Sequence, residues 1–495
     1  MLDTLSLIIV SPEIVLLVMT CVIAMLDLGV TTRLRGLTYG LTLLTLAAVA
    51  FLTADFAVRG ATFYAFGKMV VSDPMGNWLK CFSSIALMVT LVYGRGYAAD
   101  RQMLRGGELF TLSLFSLLGM FVMISASNFL LIYLGLELMT LCSYALVALR
   151  RDNEVATEAA MKYFVLGAMA SGFLLYGISM LYGATGSLDI NEVFRVIGSS
   201  RVNHQVLVFG LVFIVAGLAF KLGAAPFHMW IPDVYHGAPT AVTLMIGSAP
   251  ELAAFGITIR LLVEGMIPLA LDWQQMLMLL AVASLLVGNL AAIAQSNLKR
   301  MLAYSTIAQM GFVVLGLTAG VVNGNTDNAQ FAYSASMFYI VTYVLTTLGS
   351  FGIILLLARE GFESDEITDL AGLNQRSPLY AGIMAICMFS LAGVPPLVGF
   401  WGKLFVLQAL VASGSMLFIG VAIFAVMMSL VGAFYYLRVV KVMYFDSPIT
   451  ATTVSAPADV RAVLAINGAL VLILGLVPGG LLALCAQAIV KTLAT

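Results

Sequence analysis

Long apolar runs follow one another along the whole sequence, and they constrain the fold more than any other feature. A helix needs about 20 apolar residues to cross a bilayer, and windows of that size predict about 14 spans. Charged residues make up only 10% of the chain, against about 25% in a soluble domain. The sequence therefore predicts an all-α polytopic membrane protein. The spans, numbered in chain order, have the approximate limits 5–26, 36–54, 74–94, 108–125, 128–149, 158–183, 204–236, 239–263, 273–294, 299–320, 330–358, 377–412, 415–444 and 459–490.

Spans 7 and 12 are interrupted in related ways. One reads "FKLGAAPFHMWIPD" and the other "SLAGVPPLVGFWGKLFV", so each combines glycine, proline and a lysine with aromatic residues. Proline removes a helix hydrogen bond, and at membrane depth the freed backbone groups are tolerated only beside protein or a watery cavity. Paired broken helices in two halves of a chain point to inverted repeats with a site at the midplane. The simpler alternative is a kink in a packed helix.

Charged residues within the spans are few, and lipid is an unfavourable environment for them. An ionised side chain at the centre of a span costs about 2.5–3.5 kcal/mol on insertion scales. Such residues must therefore face one another, other polar groups or water, and a linked series of buried acids and bases indicates a proton relay. The candidates at substantial depth are Glu13, Glu137, Lys162, Lys221, Glu251 and Lys403.

We expect Lys221 to carry a proton, with Glu137 as its counter-charge and Lys403 as its equivalent in the second half. Burial favours the neutral amine and a nearby carboxylate favours the ammonium. A change in the separation of Glu137 and Lys221 would therefore switch whether the lysine holds its proton. Lys162 lies nearer a helix start, where it either joins the relay or extends to the membrane interface.

Two further charged residues are expected to have other roles. Glu13 follows Pro12 near the outer end of span 1, which favours a structural role. Lys80 lies about one turn inside span 3 and is expected to extend towards the interface.

Other polar residues are candidates for relay or channel-lining positions. His228 and His236 flank the break in span 7, where they either relay protons near neutral pH or hydrogen-bond frayed backbone. Ser305, Thr306 and Gln309 recur at helical spacing in span 10. They either line a hydrated path or bind neighbouring helices.

Several function classes find no support in the sequence. The five cysteines form no C-x-x-C pair, which argues against an iron–sulfur cluster or a zinc site. There is no Walker A loop and no G-x-G-x-x-G opening a soluble βαβ unit. No basic run suggests nucleic acid as a partner. We therefore expect no metal, redox centre or nucleotide in this chain.

The distribution of Lys and Arg predicts the orientation. The loops that follow odd-numbered spans hold most of the loop cations, among them Arg101, Arg105, Arg150 and Lys299, whereas the opposite side holds few, including Arg260. The positive-inside rule places the odd loops in the cytoplasm. Both termini are then expected on the periplasmic side of a bacterial inner membrane.

Three motifs, "KLGAAPFHMWIPDVYHGAPTAVT", "LKRMLAYSTIAQMGF" and "LAGVPPLVGFWGKLFV", resemble the proton-antiporter-like membrane subunits of respiratory complex I, NADH:quinone oxidoreductase. The resemblance covers about residues 108–445, and the length and the first motif favour one of the three large subunit types. It implies fourteen helices with two inverted five-helix repeats and broken helices 7 and 12. The implied domains are an N-terminal three-helix segment (1–107), a core (108–445, with repeats at about 108–263 and 273–444) and a C-terminal helix (446–495).

The resemblance also implies residue roles, cofactors and partners. Glu137 would be the acidic partner, Lys162 the connecting lysine, Lys221 the proton-binding lysine of the first half, and Lys403 the terminal group of the second. The chain would lie in the membrane arm, in the lipid bilayer, beside other antiporter-like subunits and small membrane subunits. NADH, FMN, iron–sulfur clusters and quinone are expected on partner subunits.

Glu251 departs from the family pattern. The stretch "GSAPELAAFGI" has a glutamate where the family usually has a lysine. Three interpretations stay open: a natural variant with an acidic hub, an introduced substitution, or a position used structurally. Gln309 stands where some relatives have histidine, which weakens any histidine relay in span 10.

Different functions remain compatible with these features. The leading hypothesis is a proton-translocating subunit of a multi-subunit redox enzyme. The alternative is a subunit of a multi-subunit Na⁺/H⁺ or K⁺/H⁺ antiporter, whose large chains share the same repeats. A non-conducting assembly scaffold is a third possibility, in which the charges only lock helices together.

Overall fold

The computed structural model describes residues 4–31, 35–199, 202–322, 324–358, 361–448 and 454–493. Within them, twelve helices are long and apolar enough to cross a membrane, by length and composition. The 17-residue helix Ser11–Asp27 and the broken pair Pro378–Ala392 and Val398–Ala412 occupy the places of predicted spans 1 and 12. The prediction of an all-α polytopic protein with about fourteen spans is confirmed.

The first three spans carry the only regular strands of the described residues. A short antiparallel hairpin joins spans 2 and 3, with Phe63 opposite Ser72 and Ala65 opposite Val70. The elements are the helices Thr4–Ile9 and Ser11–Asp27 in span 1, Gly36–Arg59 in span 2, the strands Phe63–Ala65 and Val70–Ser72, and Pro74–Asp100 in span 3.

Spans 4 to 8 form the predicted first repeat. A short helix that the sequence reading did not anticipate, Ile190–Gly198, lies between spans 6 and 7. The helices are Glu108–Ser125, Phe129–Val147, Glu154–Thr185, His204–Lys221 with Trp230–Gly237, and Thr240–Ile246 with Ala249–Thr258 and the π-helical turn Ile259–Glu264.

Spans 9 to 14 complete the chain. Span 14, predicted as one helix, is divided near Pro478, because proline cannot donate the hydrogen bond that would continue the helix. The helices are Ile267–Leu269 (3₁₀), Ala270–Ile293, Leu298–Thr318, Ala329–Leu357, Ile367–Leu370 (3₁₀), Leu373–Arg376, Pro378–Ala392 with Val398–Ala412, Met416–Phe445, and Ala458–Leu476 with Gly479–Leu493.

Asparagine and aspartate side chains begin many of these helices. Asn128 accepts a hydrogen bond from Leu130 N at 3.0 Å, and Asn153 accepts one from Ala156 N at 2.8 Å. Asn297 does the same for Arg300 N at 3.0 Å. Such caps satisfy amide groups that have no partner within the helix. The Asn128 cap explains how span 5 starts directly after the short "SASN" connection.

The breaks in spans 7 and 12 share one backbone device. Each first half ends beside a glycine in the left-handed conformation, Gly223 (φ +62°) and Gly393 (φ +86°). Glycine adopts this conformation without the steric penalty of a side chain, and the prolines that follow prevent the helix from resuming at once. Both predicted breaks are therefore confirmed, and each falls in the fourth span of its predicted five-helix repeat.

The centre of the molecule is formed by spans 8 and 10. In the most apolar stretch of each, 94% of the residues are buried inside the protein, against 28% in spans 13 and 14. Spans 13 and 14 thus present most of their surface outwards. Glu251 belongs to span 8, and Ser305, Thr306 and Gln309 belong to span 10, so these residues are placed in the interior.

Candidate functional site

Lys221 is the last residue of the first half of span 7, so its side chain leaves the helix where the backbone breaks. Its Nζ has no hydrogen-bond partner among the described residues and lies 5.5 Å from the centroid of the Phe220 ring. Glu137 of span 5 interacts electrostatically with Lys221 without contacting it. The lysine can therefore gain or lose a proton without first breaking a salt bridge.

Lys162 is not buried, in contrast to the expectation that it lies at depth. Its side chain is 45% exposed, and its Nζ lies 2.9 Å from Glu158 Oε1 and 3.0 Å from Asp233 Oδ2. Asp233 is also bound by Arg300 at 2.9 Å. Lys162 points outwards, on the same helix face as the exposed apolar residue Val165. The structure places Lys162 in a peripheral ion-pair network.

Glu251 lies in the first turn of the helix Ala249–Thr258 and is only 2% exposed. Its Oε2 has no hydrogen-bond partner among the described residues. Its carboxyl group interacts electrostatically with the hydroxyls of Tyr163, Tyr235 and Tyr343. Because Tyr163 belongs to span 6 and Tyr343 to span 11, the field of this carboxyl group reaches both predicted repeats.

Lys403 is held by groups that the break in span 12 leaves free. Its Nζ donates to the carbonyl oxygens of Leu391 at 2.9 Å and Ala392 at 3.0 Å, and to Ser429 Oγ at 2.8 Å. These carbonyls end the first half of the broken span, where no later amide of the same helix is available to them. Lys403 thus reaches the break in span 12 from the second half of that span and has three fixed acceptors, whereas Lys221 ends the first half of span 7.

Span 10 connects the polar groups of the second half. Gln309 Nε2 donates to Leu391 O at 3.1 Å and to the Tyr436 hydroxyl at 2.8 Å, and its Oε1 accepts a hydrogen bond from Tyr339. The same span contacts two tyrosines through Ser305, 2.5 Å from the Tyr436 hydroxyl, and Thr306, 2.8 Å from that of Tyr343. The structure thus brings together Ser305, Thr306 and Gln309 with tyrosines of spans 11 and 13.

These tyrosines were missed in the sequence reading. Tyr339 and Tyr343 lie one turn apart on span 11, so they share a helix face. That spacing was a usable signal, but a tyrosine in an apolar run is equally typical of a membrane interface or a packed core. Only the positions of spans 10 and 13 distinguish these cases.

The two histidines occupy different environments. His228 lies in the break of span 7 and is partly buried, and its Nδ1 has no hydrogen-bond partner among the described residues. His236, near the end of the helix Trp230–Gly237, is exposed. The structure therefore leaves His228 partly buried within the break of span 7 and His236 exposed.

Lys80 does not extend to the interface as expected. It is 2% exposed, and its Nζ lies 2.5 Å from Glu13 Oε1, which also accepts a hydrogen bond from Ser125 Oγ at 3.0 Å. Span 1 supplies the carboxylate that lets this lysine stay buried. Glu13 is thus the counter-ion of Lys80, which supports the structural role that its position near Pro12 favoured.

Two cations that were counted with the loops are also buried. Arg260 lies in the π-helical turn, where it binds Asp73 and Glu264 and donates to Ile124 O at 3.1 Å. Lys299 donates to Ala238 O at 3.0 Å. Both side chains therefore bind backbone oxygen atoms at the ends of other spans, inside the protein.

Among the described residues, no group of three or more His, Cys, Asp or Glu side chains is placed to hold a metal ion. The same residues include five free cysteines, of which Cys21 is exposed. The site is thus built from amine, carboxyl, hydroxyl and amide groups, which can hold and pass protons.

The chain is similar to known proteins in family, sequence and structure. The family described as NADH:quinone oxidoreductase/Mrp antiporter, TM, matches residues 126–429. The chain is 73% identical to NADH-quinone oxidoreductase subunit N of Polaromonas naphthalenivorans (strain CJ2), over 99% of this chain and 98% of that protein.

Solved structures that share its fold include two from membrane complexes. One is a chain of respiratory complex I from Thermus thermophilus with bound aureothin, with a TM-score of 0.79, 32% identity, and coverage of 96% of this chain and 99% of that one. The other belongs to the Mrp complex from Dietzia sp. DQ12-45-1b, with a TM-score of 0.84, 20% identity, and coverage of 98% and 97%. The chain belongs to the NADH:quinone oxidoreductase/Mrp antiporter transmembrane family, and within it to the subunit N group that its motifs favoured.

Proposed function

We propose that this chain is a membrane-arm subunit of NADH:quinone oxidoreductase that moves protons along Glu137, Lys221, Glu251 and Lys403. The observation that carries the proposal is the placement of Lys221 and Lys403, each at a helix break inside a membrane-spanning bundle. Family membership supports the assignment to this enzyme, and the positions of these side chains support the proposed path of the protons. In this proposal the chain is the proton-translocating part of an oxidoreductase whose redox chemistry takes place elsewhere.

The first step takes place between Glu137 and Lys221. When the carboxylate and the amine approach, the ammonium form of Lys221 is favoured, and when they separate, the neutral amine is favoured. Lys221 has no fixed hydrogen-bond partner among the described residues, so its protonation can follow this change of field. A movement of the neighbouring subunits that shifts span 5 would therefore load or unload the lysine.

The middle step uses Glu251. A glutamate that carries a proton is neutral, whereas a lysine that carries one is positive. A proton arriving at Glu251 therefore cancels a buried charge, and does not add one. The tyrosine hydroxyls around the carboxyl group offer oxygen atoms through which a proton could reach it from either repeat.

The cofactors and partners follow from this assignment. NADH, FMN, iron–sulfur clusters and quinone would bind partner subunits. Neighbouring antiporter-like and small membrane subunits would cover outward faces such as the one around Lys162, and lipid would cover the rest. The excess of Arg and Lys on the odd-numbered loops supports a bacterial inner-membrane location with both termini on the periplasmic side.

A cation antiporter remains the second candidate. The similarity to the Mrp complex chain supports it at the level of fold alone, since the two sequences are only 20% identical. Such a subunit would exchange Na⁺ or K⁺ for protons without any redox partner. Cation exchange by the isolated membrane complex in the absence of NADH and quinone would favour this candidate over the first.

The test is substitution of Lys221 in the fully assembled complex, reconstituted in proteoliposomes. Lys221→Met, which keeps length and apolar character, is expected to lower proton translocation and coupled NADH oxidation at least about tenfold. The control is Lys441→Met, because the Lys441 side chain is 62% exposed and, among the described residues, pairs with Asp446 alone at the end of span 13. An assembled Lys221→Met complex with an unchanged number of protons per electron would contradict the proposal.

A further inference from the structure

Span 14 contacts the second half of span 12 on the side opposite Lys403. The contact includes a hydrogen bond of 2.7 Å, which Trp401 Nε1 donates to Gly475 O. Trp401 and Lys403 both belong to the helix Val398–Ala412, which begins directly after the break. Residues two positions apart in a helix do not face each other. The indole is therefore directed to span 14 and the amine to the interior.

The acceptor of this hydrogen bond is available because span 14 is itself divided. Gly475 is the last residue but one of the helix Ala458–Leu476, and the final carbonyl groups of a helix have no later amide of the same helix to bind them. Pro478 follows, and proline has no amide hydrogen to donate. The break in span 14 thus offers a carbonyl oxygen to Trp401, as the break in span 12 offers two to Lys403.

Gly475 also brings the backbone of span 14 directly against the break in span 12. A Cβ at this position would lie 2.2 Å from Pro396 O and 2.7 Å from Leu397 Cα. Both residues belong to the segment 393–397, which joins the two halves of span 12. An approach this close requires a residue without a side chain. Span 14 therefore contacts the broken segment through its backbone as well as through the indole of Trp401.

On its inner side, the second half of span 12 is bound to the end of the first half. Gly399 N donates to Ser390 Oγ at 3.1 Å. Lys403 Nζ donates to two carbonyl oxygens of the first half, at 2.9 and 3.0 Å. A shift of the helix Val398–Ala412 towards or away from span 14 would change these two distances. The contact with span 14 therefore bears on whether the amine reaches its acceptors.

Span 14 lies at the surface of the helix bundle. In its most apolar stretch 28% of the residues are buried. The side chains of Ile473, Leu476 and Val477, which flank Gly475, are 53%, 62% and 67% exposed. An element at the surface of the molecule thus contacts the break to which the interior lysine is bound.

We propose that Trp401 and Gly475 are positioning residues for Lys403, and that span 14 holds the second half of span 12 at the distance where the amine reaches the carbonyl groups of the first half. The inference rests on the proposed proton-transfer function and deepens it, because it gives span 14, which contains none of the proposed relay residues, a part in that function. Neither residue touches the transferred proton, and both act through the location of Lys403 Nζ.

The first test removes the indole hydrogen bond. The matched control for Trp401→Phe is Trp273→Phe in span 9, because Trp273 Nε1 donates to Met266 O at 3.0 Å and the residue is fully buried. Both variants lose one indole–carbonyl hydrogen bond, so both are expected to unfold at a lower temperature. Trp401→Phe alone is expected to slow proton translocation per assembled complex, roughly fivefold, as for the loss of one hydrogen bond. Equal translocation in the two variants would overturn the role of Trp401.

The second test separates the two elements at Gly475. Gly475→Ala is expected to slow translocation at least as much as Trp401→Phe, because its Cβ would displace the backbone of the break. Cryo-electron microscopy of the assembled variant is expected to show Lys403 Nζ beyond hydrogen-bonding distance of Leu391 O. The control is Gly480→Ala in the same span, whose Cβ would meet nothing within 4 Å. A Gly475→Ala complex in which Lys403 keeps this hydrogen bond, or in which translocation equals that of the control, would contradict the proposal.

Lys403→Met distinguishes a failure of this inference from a failure of the proposed function. Undiminished translocation in an assembled Lys403→Met complex would contradict the proposed function itself. If Lys403→Met stops translocation while Trp401→Phe and Gly475→Ala behave like their controls, the positioning role is wrong and the proposed function stands.

Discussion

At the scale of single residues, Lys221 and Lys403 show two ways of keeping an amine inside an apolar bundle. Lys403 is anchored by two carbonyls and a hydroxyl, whereas Lys221 has no hydrogen-bond partner in the described structure and only the field of Glu137. An anchored ammonium loses hydrogen bonds when it is deprotonated, and an unanchored one does not. We therefore expect the protonation of Lys221 to be the more responsive of the two.

The central glutamate provides the prediction at this scale. Glu251→Gln cannot exchange a proton, so it is expected to lower proton translocation in the assembled complex at least about tenfold. Glu192→Gln is the control, because Glu192 lies in the short helix between spans 6 and 7 and its side chain is 44% exposed. Translocation and NADH oxidation are measured together in proteoliposomes. Full translocation in Glu251→Gln would make the position structural.

At the scale of elements, the breaks in spans 7 and 12 decide where the lysines lie. Each break places a glycine with positive φ next to the end of a helix, followed by proline. The backbone groups released there are what Lys403 binds in span 12. In span 7, one of the carbonyl oxygens at the end of the first half, that of Phe220, instead accepts a hydrogen bond from Trp230 Nε1 at 2.9 Å. The same backbone device therefore supports an anchored lysine in one repeat and an unanchored one in the other.

The prediction for this scale concerns Gly223. Gly223→Ala adds a Cβ in the left-handed conformation, which costs roughly 1–2 kcal/mol, and this Cβ would lie 2.0 Å from the tip of Ile231. The variant is expected to unfold at a lower temperature in detergent. Gly40→Ala is the control: it adds a Cβ within span 2 that meets nothing within 4 Å, so helix propensity alone favours it by up to about 1 kcal/mol. Equal shifts of the unfolding temperature in the two variants would show that the left-handed conformation of Gly223 does not contribute to stability.

At the scale of the whole molecule, Glu363 joins segments that lie far apart in the chain. The carboxylate accepts hydrogen bonds from Arg101 Nε at 2.9 Å, Arg150 at 3.0 Å and the Tyr97 hydroxyl at 2.8 Å. Tyr97 in turn accepts a hydrogen bond from Thr240 N at 3.1 Å, at the start of span 8. One side chain after span 11 thus ties spans 3, 5 and 8 together at the odd-loop surface.

This cluster predicts a pH dependence of stability. Burial alone would raise the pKa of Glu363, but hydrogen bonds from Arg101 and Tyr97 and the charge of Arg101 hold the pKa below its ordinary value. A carboxyl group with a depressed folded-state pKa stabilises the fold above its unfolded pKa, about 4.3, and this contribution is lost as the pH falls through the folded pKa. Glu363→Gln is expected to lower thermal stability at neutral pH and to flatten its decline below about pH 4.3. If stability falls with pH in Glu363→Gln as it does in the wild type, Glu363 is not the source of the acid transition. Glu192→Gln is the control, because it changes an exposed carboxyl group.

The spans, the two breaks and the titratable residues within the spans could all be predicted from the amino-acid sequence. These depend on hydropathy over about 20 residues and on the backbone restrictions of glycine and proline, which are local properties. Lys221, Glu251 and Lys403 accordingly lie in the spans to which the sequence assigned them.

The direction of each side chain and the groups that it contacts could not be predicted, because they depend on how the helices pack. Lys162 faces outwards, Lys80 is buried against Glu13, and Tyr339, Tyr343 and Tyr436 surround Gln309 and Thr306. In a helix that is apolar on all sides, no periodicity marks the inner face, so the sequence does not reveal it. The partners come from spans far apart in the chain, and their meeting is set by helix packing.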